Sequence, residues 1–352
     1  MNTSMDSLNT TQRSNSSGGD GDLRVTFPTV LSLITFLTGT IFNGTLLVVF
    51  AKDRSLRTPF SVYLVNLLLA NFTCSVILYP MDFISNLHSA QWLIGNQACT
   101  AYLYTTCVIE AGIFHCHLLI ALNRMWAVVH PISYRSIHST QTAVLLCLGT
   151  WVYIHLAALP EVVLDALYYR LPVETAGCII NVAENPLRSY DRVAQLLFYH
   201  LPHLLMLLSV PIICCARRRS GLRKQNTVMP NYSIHPHTRV LTDRRGTQSS
   251  NTVLEGADRL QGIGGKSVAG IKARTRKLRG FLLLLLLTSS VTICWLPIDV
   301  YYTMNSQIED FKDELFFQVA ETLFSLQTTV DPLIFMFSMK NLRVALRRLV
   351  HC

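Results

Sequence analysis

Four carboxylates, Asp82, Glu110, Asp299 and Glu321, stand in runs that are otherwise largely apolar. A carboxylate among aliphatic side chains is costly unless it meets a cation, a proton or hydrogen-bond donors. Acids in that setting suit the capture of a cationic ligand. A fifth, Asp331, precedes Pro332, and two amides, Asn43 and Asn71, stand in other apolar runs, each a functional candidate because polar groups there are costly. The pair Asn123-Arg124 puts a guanidinium at the end of a third run. No phosphate-binding Gly loop, HExxH or GxSxG occurs, and the ten cysteines contain no CxxC, so enzyme and zinc chemistry have no support. His115 and His117 are two apart and face different sides of a helix, so they cannot share a metal; His200 and His203 are better spaced, but core or lipid-edge positions suit all four.

The elements that hold these residues follow from composition. Of 352 residues, 50% are AVILMFWYC and 14% DEKR, with a mean hydropathy of +0.35, where soluble domains carry about 25% charged residues. A single soluble core is excluded. A span needs about 20 apolar residues, so seven would take roughly 150. Apolar runs predict spans at Phe27 to Ala51, Phe60 to Ile84, Ala98 to Val129, Thr142 to Leu164, Val193 to Cys215, Phe281 to Tyr302 and Leu315 to Met339.

The net charge of +9 describes topology rather than a nucleic-acid partner. Twenty-four of the 30 Lys and Arg fall on one side: Lys52, Arg54 and Arg57, then Arg124 and Arg135, fifteen in 217–279, and Lys340, Arg343, Arg347 and Arg348. Basic loops stay cytoplasmic, so the N-terminus is expected outside. The expected organisation is a polar tail at 1–24, five spans in 25–216, a mostly disordered cytoplasmic loop at 217–276, two spans in 277–339 and an amphipathic helix at 340–352. Sequons at Asn2, Asn9 and Asn15 agree with a glycosylated outer tail, which lacks the apolar stretch of a cleavable signal. Leu342, Ala345, Leu346 and Leu349 alternate helically with Arg343, Arg347 and Arg348, which suits a helix lying on lipid. Cys352 is either a palmitoylation site or a free thiol.

One landmark marks each run in order: Asn43, Asn71, Asn123-Arg124, Trp151, Pro202, Cys294-Trp295-Leu296-Pro297 and Asp331-Pro332-Leu333-Ile334-Phe335. With Leu56-Arg57-Thr58-Pro59, Asn66 to Asn71, Trp92-Leu93-Ile94-Gly95 and Asn123 to Pro131, the chain resembles a rhodopsin-like (class A) G-protein-coupled receptor over residues 25–352. That resemblance implies an all-α seven-transmembrane helix bundle with a short eighth helix, a plasma-membrane location, and a Cys99–Cys178 disulfide. It implies a heterotrimeric G protein meeting Asn123 and Arg124. It also puts the stripes Thr106/Glu110 and Trp295/Asp299 on a ligand cavity, with Asp82 and Glu321 in the same outer half and Tyr104, Trp295, Tyr301 and Tyr302 as candidate aromatic walls.

The chain departs from the family pattern in ways that bear on function. Asn71 and Asp331 exchange the usual acid and amide of what the resemblance implies is one polar cluster with Asn43, which has two readings: Asp331 holding a proton or a sodium ion, or a protonated Asp331 hydrogen-bonded to Asn71 and Asn43. Asn123-Arg124-Met125 gives Arg124 no adjacent acid, and Lys277 replaces a distant one, which predicts raised basal activity. Phe335 and Val210 lack hydroxyls that support the active state, which predicts the opposite. Thr106 stands where aminergic relatives carry Asp, and Ser325 where opsins carry the retinal lysine, so retinal is not expected. The expected ligand is a cationic amine held by an unusual carboxylate, or a basic peptide. The rival reading is a non-coupling decoy or partner subunit of a related receptor.

Overall fold

Side-chain caps start several of the helices. Thr58 accepts from the Ser61 N–H at 3.2 Å and is followed by Pro59, which has no N–H to satisfy; Ser139 accepts from the Thr142 N–H at 3.1 Å. The computed structural model describes residues 25–88, 92–181, 187–227, 280–304 and 313–350. Six helices are long and apolar enough to cross a membrane: Phe27–Lys52, Pro59–Leu87, Asn96–Val129, Thr140–Tyr169, Leu187–Arg219 and Gly280–Met304. Glu314–Ser338 packs along the first and completes seven. It carries Glu321 and Asp331.

Two further helices flank the third and seventh spans. Pro131–Ile137, not anticipated from the sequence, lies between the third and fourth spans. Lys340–Val350 buries Leu342 and Ala345 and turns Arg343, Arg347 and Arg348 outward. The fifth helix continues to Thr227. The sequons at Asn2, Asn9 and Asn15, loop residues 228–276 and Cys352 lie outside the described residues. Among the described residues no strand occurs.

Three spans contain a wide π turn, at Cys74–Leu78, Asp165–Tyr169 and Leu196–His200. Each lies close to a proline, Pro80, Pro160 or Pro202, whose ring and missing N–H disturb the regular ladder. Beside these turns Tyr79 and Tyr199 line the cavity described below, and His200 lines it while remaining exposed on the bundle surface.

The core runs the length of the bundle through Leu64, Leu67, Leu68, Phe114, Ile120 and Phe335, all essentially inaccessible. Leu145 and Leu156 of the fourth span are each 68% exposed, a surface that suits hydrocarbon and not water. Glycines let helices approach closely, Gly39 against Ser75 and Gly112 against Trp151. A Cβ on Gly112 would collide with the Trp151 indole. Trp151 Nε1 in turn donates to Asn66 Oδ1 at 2.9 Å, tying the fourth span to the second.

Candidate functional site: an acidic cavity and two polar clusters

At the disulfide end the helices enclose a cavity of about 510 Å³. Its wall includes Asp82, Thr106, Glu110, Trp295, Asp299 and Glu321, so the spans bring together all six ligand-side residues singled out from the sequence. Asp191 of the fifth span is a fifth carboxylate in the same wall. It was missed because it precedes the apolar run that marks that span. His200 is the basic side chain of the wall, which contains neither Lys nor Arg.

Tyr102 donates to Asp82 Oδ1 at 2.5 Å and packs its ring 5.1 Å from Trp92. Trp295 forms the floor, edge-on to Phe114 at 4.2 Å and to Phe324 at 4.6 Å. Among the described residues its buried Nε1 has no hydrogen-bond partner, nor does the hydroxyl of Thr106. Of the expected aromatic walls, Tyr302 and Trp295 line the cavity. Tyr104 and Tyr301 do not: Tyr104 bonds His155 Nδ1 at 2.7 Å on the fourth span, and Tyr301 packs against Phe317 at 5.0 Å.

Two ties hold the roof. The Cys99–Cys178 disulfide fixes the loop to the third span, with Cα atoms 5.5 Å apart, and places Ile179 and Ile180 over the cavity. Arg170 forms an ion pair with Asp165, both side chains being buried. Arg170 Nη1 also reaches Cys99 Sγ at 3.2 Å and Thr100 Oγ1 at 3.3 Å, and Asp165 Oδ1 accepts from the Asn181 N–H at 3.0 Å. Sequence reading missed this clamp, since neither residue marks a motif.

In mid-bundle Asp331 is fully buried and accepts three N–H donors: Asn71 Nδ2 at 2.9 Å, Gln327 Nε2 at 2.6 Å and His117 Nε2 at 3.1 Å. Asn43 is not among them. Its Nδ2 donates instead to the carbonyls of Gly39 at 2.8 Å and Thr328 at 2.9 Å, fastening the first span to the seventh. Gln327 and His117 were readable in principle: one lies a turn before Asp331, the other two turns before Arg124 on its stripe. Asn71 and Gln327 turn N–H toward the carboxylate, so three N–H donors meet it, and the oxygens of Asn43, Asn71 and Gln327 have no hydrogen-bond partner among the described residues. Among the described residues no group of three His, Cys, Asp or Glu is placed to hold a metal.

At the opposite end, the Arg124 guanidinium lies over the Phe60 ring, 3.3 Å from its centroid, and no carboxylate among the described residues pairs with it. A Cβ on Gly280 would meet Arg124 Nη1 at 3.6 Å, so this guanidinium sits at the entry of the sixth span. Asn123 is held by the segment between the third and fourth spans: its Nδ2 lies 2.8 Å from His138 Nε2, and Tyr134 donates to its Oδ1 at 3.3 Å. The Tyr63 hydroxyl approaches the same His138 nitrogen at 3.3 Å, and the His138 ring stacks on Tyr134 at 4.4 Å. Burial, and then the charge of Arg124, hold the His138 pKa below its ordinary 6.5. Phe335, in place of a hydroxyl-bearing tyrosine, is fully buried in the core.

Comparison with known proteins agrees with the seven-span fold. Melanopsin of Felis catus is 28% identical over 197 residues, covering 56% of this chain and 40% of melanopsin. Proteinase-activated receptor 3 of Homo sapiens is 30% identical over 185 residues, 50% of this chain and 48% of that receptor. The matches to these two thus span two fifths to one half of those proteins. The 5-hydroxytryptamine receptor 1B of Mus musculus is 23% identical over 357 residues, 93% of this chain and 87% of the receptor. The family described as "7 transmembrane receptor (rhodopsin family)" matches residues 42–335. The chain belongs to the rhodopsin family of seven-transmembrane receptors and is a multi-pass membrane protein.

Proposed function

We propose that the chain is a plasma-membrane receptor for a cationic ligand, an amine or a basic peptide, that signals to heterotrimeric G proteins. The observation that carries this reading is the single cavity walled by Asp82, Glu110, Asp191, Asp299 and Glu321 without a lysine or arginine. Five carboxylates in a low-dielectric enclosure favour positive charge strongly. Similarity to a receptor named for 5-hydroxytryptamine is consistent with an amine. Thr106 and Ser325 in the same wall, in place of an acid and a lysine, argue against a conventional amine site and against covalent retinal. The basic ends of the loop at 217–276 and the terminal helix face the cytoplasm in this reading, drawn to acidic lipid headgroups; Asn2, Asn9 and Asn15 lie outside and bear glycans, and Cys352 is an acylation candidate.

The test is nucleotide exchange on a panel of G proteins in membranes holding the receptor, with Arg124→Ala as control, before and after a library of amines and basic peptides. Exchange that rises with cations and disappears in the control supports the reading. Silence throughout, with surface expression confirmed, favours the decoy or partner-subunit reading. The buried Phe335 and the engagement of Asn123 by His138 are the observations that keep that rival alive.

A further inference from the structure

A groove of about 360 Å³ runs between the fifth and sixth spans, walled by Leu204, Leu207, Leu296 and Val300. Leu204 is 53% and Leu296 45% exposed on the lipid-facing surface. Two residues of this groove, His200 and Asp299, also line the acidic cavity. The two spaces therefore adjoin across one pair of side chains, one space apolar and the other acidic. His203 bridges to Thr292 Oγ1 at 3.1 Å and ties the helices together at the end of the groove nearer mid-bundle. Asp299 forms no ion pair with a cationic side chain among the described residues, although a carboxylate beside a hydrocarbon-facing opening is costly.

Resting on the cationic-ligand reading above, we propose that this receptor takes an amphiphilic amine. The ammonium sits with Asp299 in the acidic cavity, and the alkyl or aryl tail passes between His200 and Asp299 into the groove. A compact polar cation would leave the groove to bilayer lipid. A neutral lipid tail would leave Asp299 uncompensated. An amine with a tail satisfies both surfaces, and the unpartnered Nε1 of Trp295 on the cavity floor offers a donor to an acceptor atom near the ammonium.

The experiment is a thermal-shift titration of the full chain in nanodiscs with n-butylamine, n-octylamine and n-octanol. Wild type is compared with the groove-filling variants Leu296→Trp and Val300→Trp and with Asp299→Asn. Partition into the bilayer is common to all variants, so their differences report the site. The expected result is that octylamine stabilises wild type at concentrations at least about tenfold below butylamine. Either groove-filling variant removes that advantage and keeps the butylamine response, while Asp299→Asn weakens both amines and octanol is inactive. Equal potency of the two amines, or an advantage that survives both tryptophans, overturns the tail placement and leaves the cationic cavity standing. Octanol acting like octylamine also overturns it, because the groove is then an ordinary lipid site. No response to either amine overturns it together with the amine half of the ligand reading.

Discussion

His117 of the third span donates its Nε2–H to Asp331 of the seventh across 3.1 Å, with both side chains buried. With Asn71 and Gln327 it brings three N–H donors to the carboxylate, and it joins two spans that are 214 residues apart in the chain.

Sodium is therefore expected to have no specific effect. Replacing sodium chloride by choline chloride should leave the Tm of the purified receptor unchanged. His117→Leu should lower stability by about 1 kcal/mol or more, since it leaves a buried acceptor short of a donor, and should open a sodium-dependent difference. A wild-type Tm that rises with sodium and loses that rise in Asp331→Asn would sink the assignment.

The Arg170–Asp165 clamp should behave as a buried ion pair. Arg170→Ala strands Asp165 without a countercharge and should cost about 3–5 kcal/mol, with loss of surface expression. The double variant Arg170→Ala/Asp165→Ala should be milder than Arg170→Ala alone, because no charge is then left unpaired. Urea or thermal unfolding of the three forms decides this; equal losses in single and double variants would reduce the pair to a packing contact.

Stability at the Arg124 end of the bundle should depend on pH through His138. Its Nε2 accepts from Asn123, and its folded pKa is depressed by burial and by Arg124. The unfolded chain therefore binds the proton first. The contribution is complete above the ordinary 6.5 and is lost as pH falls through the lowered folded value. Melting curves from pH 7.5 down to 5 should show a steeper decline for wild type than for His138→Gln, and parallel curves would refute the role.

Phe60 holds Arg124 where an acidic neighbour is missing. Removing the ring in Phe60→Ala forfeits about 0.5–1 kcal/mol of cation–π attraction, so ligand-free nucleotide exchange should rise roughly two- to fivefold. An unchanged basal rate, with Arg124→Ala still silent, would mean that the ring does not restrain the guanidinium.

The seven spans, the order of their landmarks and the acidity of the ligand end were legible in the chain, because apolar runs and the 3.6-residue repeat are local properties that survive without a partner. Even Glu110 beside Thr106, or Asp299 beside Trp295, needs only helical spacing. The partners of the buried charges were not legible. Asp191 enters the cavity wall from ahead of the predicted fifth span, in the segment beside the Leu196–His200 π turn. Asn43 gives its donors to backbone carbonyls instead of Asp331, and His117 takes the place at that carboxylate. These choices depend on how each helix is rotated and how deep it sits against its neighbours. Packing across the bundle sets both, at sequence separations where no repeat or motif carries information.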